Sequence, residues 1–156
     1  MITTTRWIDL AGVWQDARRI ATERDRTHDY AGNLSRTRWA AHFMGALGEY
    51  VWSLEMKDRS PVVLSGADDG RDFRGVVDVK AKAYLGADLF LMVPADKDLG
   101  ALYYVLAQLD MCGKRGRLVG YAHREEVAEA EVSLDWRVPT RCVPAERLHP
   151  VEELAA

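Results

Sequence analysis

The sequence predicts an α/β protein in which two amino-terminal helices precede a mixed β-sheet flanked by helices. Three observations carry this. Apolar residues recur at helical spacing up to about residue 57, short β-rich runs punctuated by glycine and aspartate fill about 60 to 145, and a single short helical stretch interrupts those runs. With 156 residues, 48% of them apolar, the chain amounts to one domain, and no repeat, low-complexity tract or linker divides it.

Trp7, Leu10, Val13, Trp14, Ala17, Ile20 and Ala21 fall on one stripe and predict a first helix over about 8–26. The segment DYAGNLS ends it, because Gly32 tolerates positive φ and Asn33 or Ser35 can accept the free amides of a following helix. That second helix is predicted over 36–56, with Trp39, Phe43, Leu47, Tyr50, Val51 and Leu54 on one side. Residues 61–65 then read as a short buried strand, 66–75 as a polar loop leading into a hairpin, and 76–83 (VVDVKAKA) as the next strand. Further strands are predicted at 88–93, 102–111 and 117–123, the last two joined by the turn CGKRG. Residues 124–132 read as a short helix, and the tail from Arg141 as an extended segment followed by a terminal helical turn.

Composition narrows the function. Lysine and arginine number 21 against 24 acids, a net charge of -3, so bulk positive charge does not grip nucleic acid. Cys112 and Cys142 stand apart with no paired CxxC, which excludes a disulfide scaffold and a structural cysteine zinc site and predicts a reducing, cytoplasmic setting. The first residues, MITTTRWIDL, do not read as an export signal, and no apolar run approaches the roughly 18 residues of a membrane span.

Chemistry concentrates in SGADDGRDFRGVVDVKAK, which places Asp68, Asp69, Asp72, Asp78, Lys80 and Lys82 within fifteen residues. On a strand, alternate residues share a face, so Asp78, Lys80 and Lys82 point one way while Val77, Val79, Ala81 and Ala83 hold the strand to a core. A two-residue hairpin loop at Arg74-Gly75 would set Asp72 and Asp78 on different faces. A three-residue loop, Arg74 to Val76, would set them opposite one another. The second register is favoured, since two carboxylates that close call for a shared cation, and Mg²⁺ takes few carboxylates while keeping waters and phosphate oxygens. Glu49 lies off the apolar stripe of the second helix, on a side with His42, Gly45, Ala46 and Ser53, where small neighbours would let the hairpin or a substrate approach.

These motifs, GALGEYVW at 45–52, DGRDF at 69–73 and VDVK at 77–80, resemble the PD-(D/E)xK nuclease superfamily, the restriction-endonuclease-like fold, and most closely its small phage and prophage members. The resemblance covers roughly residues 40–125. It implies a metal-dependent nuclease in which Asp72, Asp78 and the helix-borne Glu49 hold Mg²⁺ or Mn²⁺, Lys80 is the catalytic lysine, and cleavage leaves 5'-phosphates. The short spacing from Asp72 to Asp78 keeps Asp69 as a competing first aspartate and metal ligand. DNA is the expected substrate, in the cytoplasm of a bacterial or phage-infected cell, and symmetric cutting of two strands would need a homodimer. A catalytically inactive nucleic-acid- or partner-binding module on the same fold is the alternative.

Candidate phosphate contacts are Lys82, Arg36, Arg38, His42, Lys114 and Arg115. Six arginines from Arg18 to Arg38 face three acids, which suits phosphate recognition and equally an amphipathic helix with a solvated face. Lys114, Arg115 and Arg117 form a basic hairpin tip. If Glu49, Asp69, Asp72 and Asp78 are assigned to a cation site, 21 basic residues face 20 acids, and the global charge no longer opposes a phosphate substrate.

Overall fold

A computed structural model describes residues 4–27, 35–57 and 76–155, apart from the side chains of residues 27 and 35–37. It is a mixed α/β structure with three α-helices and two sheets among these residues. The predicted strand at 61–65, the hairpin loop with Asp68, Asp69 and Asp72, and the helix break at 29–34 lie outside the described residues.

The chain begins with a two-residue strand, β1 (Ile8–Asp9), and a tight turn at Ala11–Val13, before α1 (Trp14–Thr27). The first helix therefore starts later than its apolar stripe predicts. Its expected first turn is diverted: Ile8 and Asp9 pair antiparallel with Gly116 and Arg115, and the Asp9 carboxylate accepts the Ala11 N–H at 2.9 Å to make the turn. Helix α2 (Ser35–Glu55) follows.

The larger sheet has the order β1-β5-β4-β2. Strand β2 (Val77–Lys82) runs parallel to β4 (Tyr103–Asp110), which pairs antiparallel with β5 (Arg115–His123). The β4–β5 connection is Met111–Lys114, and Lys114 takes the left-handed conformation with φ 49°. Strand β4 is buried along nearly its whole length because both faces of the sheet are covered. Its polar Gln108 is satisfied in place, donating to the Tyr84 carbonyl at 2.9 Å and accepting from Arg117 at 2.8 Å.

One sheet was expected from the alternating runs; two are present. Strands β3 (Phe90–Pro94), β6 (Glu131–Ser133) and β7 (Thr140–Pro144) form a second sheet with β7 in the middle. The predicted helix over 124–132 is confined to α3 (Arg124–Ala128), and the next residues become β6 because Glu131 to Ser133 find backbone partners on β7. The tail closes with short 3-10 turns at Ala145–Arg147 and Val151–Leu154.

The larger sheet separates two cores. On one face Val79, Val105, Ala107 and Leu118 pack against Trp14, Ile20, Leu47 and Val51 of the helices. On the other, Tyr104, Leu106, Val119 and Ala122 pack against Leu91, Val143 and Val127. Gly48 sets the depth at which α2 seats on β2: a Cβ there would come within 2.8 Å of the Ala81 Cβ and 3.5 Å of Val79. Neither neighbour has a long flexible end to swing away. Gly48→Val is therefore expected to cost about 2 kcal/mol or more through overpacking, read as a lowered urea midpoint.

Candidate functional site

Strand β2 is an edge strand among the described residues, and its alternation does what the sequence pattern requires. Val77 and Val79 join the helix-side core with Ala81 packed beside them, so Asp78, Lys80 and Lys82 project from the opposite face. Asp78 is buried at 5% exposure, and the Lys80 ammonium lies 3.0 Å from its Oδ2. Tyr104, the β4 register partner of Asp78, is buried on the same face. Burial pushes the Tyr104 hydroxyl up, the Ala101 N–H that it accepts at 3.4 Å pulls it back, and the Asp78 carboxylate adds to the rise. It stays a neutral phenol on the face that carries the carboxylate. Sequence reasoning missed Tyr104, although the apolar run around it marks β4 as a strand covered on both faces.

Lys82 continues the row, with its ammonium 5.1 Å above the Trp136 ring centroid. Burial lowers its pKa, opposed by the nearby Cys142 thiol. Its side chain is half-buried, and its charge rests on an aromatic face.

Glu49 belongs to the other layer. It sits at 5% exposure between the helices, where Arg24 Nη2 donates to its two carboxylate oxygens at 2.8 and 3.1 Å. Gly45 lies beside the pair, where a Cβ would make ordinary contact with the Arg24 guanidinium at 3.8 Å. Strand β2 lies between this helix layer and the face that carries Asp78 and Lys80. Helical spacing placed Glu49 off the apolar stripe; its arginine partner comes from α1, which that spacing does not address.

The remaining candidates are dispersed. Arg38 Nε donates to the Asp25 carboxylate at 2.5 Å and ties α2 to α1, while His42 is half-buried on α2. Arg36 lies in the first turn of α2 with its side chain outside the described residues, as are Asp69 and Asp72. Lys114 rests 5.4 Å above the Trp14 ring, and the Arg115 and Arg117 guanidiniums lie 4.5 and 4.3 Å from the Trp7 ring. This basic tip is six residues along β4 from the Asp78 register position, about 20 Å at strand rise.

Asp110 organises that tip. Its carboxylate accepts the Gly113 N–H at 3.0 Å and the Arg115 Nε–H at 2.8 Å, and these bonds hold its pKa below the usual aspartate value. A depressed carboxylate contributes stability that is present above the unfolded value and lost as pH falls through the folded one. Asp110→Asn is accordingly expected to lower Tm at neutral pH, with the deficit against the parent shrinking towards zero as the pH is taken below the ordinary aspartate range.

Compared with protein families, curated proteins and solved structures, the chain matches none. No described helix is long and apolar enough to cross a membrane.

Proposed function

We propose that the chain is a metal-dependent phosphodiester hydrolase with a restriction-endonuclease-like core. Within that class it acts as a deoxyribonuclease in the cytoplasm of a bacterial or phage-infected cell. The observation that carries this reading is the Asp78–Lys80 pair, a buried carboxylate with an ammonium 3.0 Å away on one face of an edge strand. A buried carboxylate is costly without positive charge, and carboxylate oxygen suits a hard cation better than a soft one. The donor chemistry fits Mg²⁺ or Mn²⁺, held by Asp78 with Asp72, or Asp69, from the segment outside the described residues.

A metal ion held there supplies Lewis-acid polarisation of a phosphoryl oxygen and a more acidic bound water. Lys80, a quarter exposed, can reach a phosphate oxygen at the strand edge, orient the attacking water and offset charge developing on the phosphate. Tyr104 is the register partner of Asp78 and is buried beside it on the same face. Glu49, held by Arg24, fixes α2 against α1 and so fixes the layer on which β2 is seated.

The test is incubation with labelled linear, nicked, branched and single-stranded DNA and RNA in Mg²⁺, Mn²⁺ or EDTA. Cleavage of at least one DNA form with either metal and none with EDTA is expected. Nucleic-acid binding without cleavage would replace this reading with the inactive binding module.

A further inference from the structure

A second cluster stands apart from Asp78 and Lys80 and does not depend on the nuclease reading. His123 ends β5, Glu126 lies in the first turn of α3, and His149 comes from the tail. In the sequence His123 and His149 stand far apart, without the spacing of metal ligands on one element. The fold joins them by an isolated bridge in which the Tyr121 N–H donates to the His149 carbonyl at 2.9 Å and the His149 N–H to the Tyr121 carbonyl at 2.8 Å. One ligand-capable atom from each of His123, Glu126 and His149 then lies within 4.8 Å of the other two.

We propose that His123, Glu126 and His149 bind a transition-metal ion of the zinc class. Two imidazoles and one carboxylate match the borderline donor set of Zn²⁺ and mismatch Mg²⁺, which asks for oxygen alone. Tetrahedral Zn²⁺ with bonds of about 2.0–2.1 Å places its ligand atoms roughly 3.3 Å apart. The His149 Nε2 is already 2.9 and 3.0 Å from the two Glu126 oxygens, so that half of the site needs only a slight opening. The carboxylate is anchored by the backbone N–H of His123 at 2.9 Å, a support of the kind that fixes metal ligands.

The rings are held as well. Tyr121 packs against His123 and His149 at centroid separations of 5.3 and 5.2 Å, and its hydroxyl donates to Glu153 at 2.8 Å. Tyr103 packs against both His123 and Tyr121, at 5.6 and 5.7 Å. The Glu126 and His149 side chains are 41% and 37% exposed, so an ion can enter and a water can take the fourth position. The bound ion would replace the proton shared by His149 and Glu126, and would fasten the tail to β5 and α3.

The experiment titrates metal-free, full-length protein with Zn²⁺ against a chromogenic chelator, and with Co²⁺ followed by visible absorption. One equivalent bound, an intense four-coordinate Co²⁺ spectrum, and shifted imidazole NMR signals from His123 and His149 are expected. Glu126→Gln and His149→Gln should each weaken Zn²⁺ binding about 100-fold or more. The NMR readout on the parent protein needs no variant to fold. Absence of binding, unshifted histidine signals, or unaltered affinity in both glutamine variants overturns the proposal, and nuclease activity bears on none of these outcomes.

Discussion

Asp78→Asn is expected to lower Mg²⁺-dependent DNA cleavage about 100-fold or more while the protein stays folded, measured as single-turnover cleavage beside a denaturation curve. Asparagine keeps the shape of the carboxyl and removes its charge, and Lys80, at 25% side-chain exposure, can then carry its ammonium towards water. The lysine needs a different substitution. Lys80→Ala would take the ammonium away from a carboxylate whose side chain is 7% exposed, and a fall in activity could then follow from a fall in stability. Lys80→Arg keeps a cation beside Asp78 but replaces a compact ammonium with a planar fork. If Lys80 orients the water, Lys80→Arg loses cleavage at nearly unchanged stability. Full activity in both Asp78→Asn and Lys80→Arg would sink the assignment.

Local periodicity made parts of this fold legible and long-range pairing hid others. The stripe through Phe43, Leu47 and Val51 marks α2 to within a residue at each end, because burial on one face of a helix writes directly into three- and four-residue spacing. The alternation from Val77 to Lys82 marks β2 for the same reason. Trp7 and Leu10 also fit a helical stripe, yet Ile8 and Asp9 pair with a strand more than 100 residues away, and no local pattern carries that information. The second sheet was hidden similarly: β6 is three residues long, and Val132 on it is 42% exposed. At the candidate sites the types of residue were readable and their partners were not. Glu49 meets Arg24 across a helix pair, and His149 reaches Glu126 only because the tail bridges back to Tyr121.

The Arg24–Glu49 pair yields the largest stability effect. The two side chains are 12% and 6% exposed and 2.8 Å apart, so removing either partner takes a charge-assisted hydrogen bond from a buried group set in a layer of apolar side chains. Glu49→Gln and Arg24→Met are each expected to destabilise by about 3 kcal/mol, read from urea midpoints at constant slope. The double variant Arg24→Met/Glu49→Leu should recover most of that loss, since apolar residues of similar volume replace a buried ion pair at little cost. A loss below about 1 kcal/mol in the single variants would mean that the pair behaves as a surface bridge and does not fix α1 against α2. The double variant also separates two roles for Glu49. If the carboxylate only joins the helices, recovered stability brings recovered cleavage. If stability returns and cleavage does not, the carboxylate contributes to cleavage beyond joining the helices.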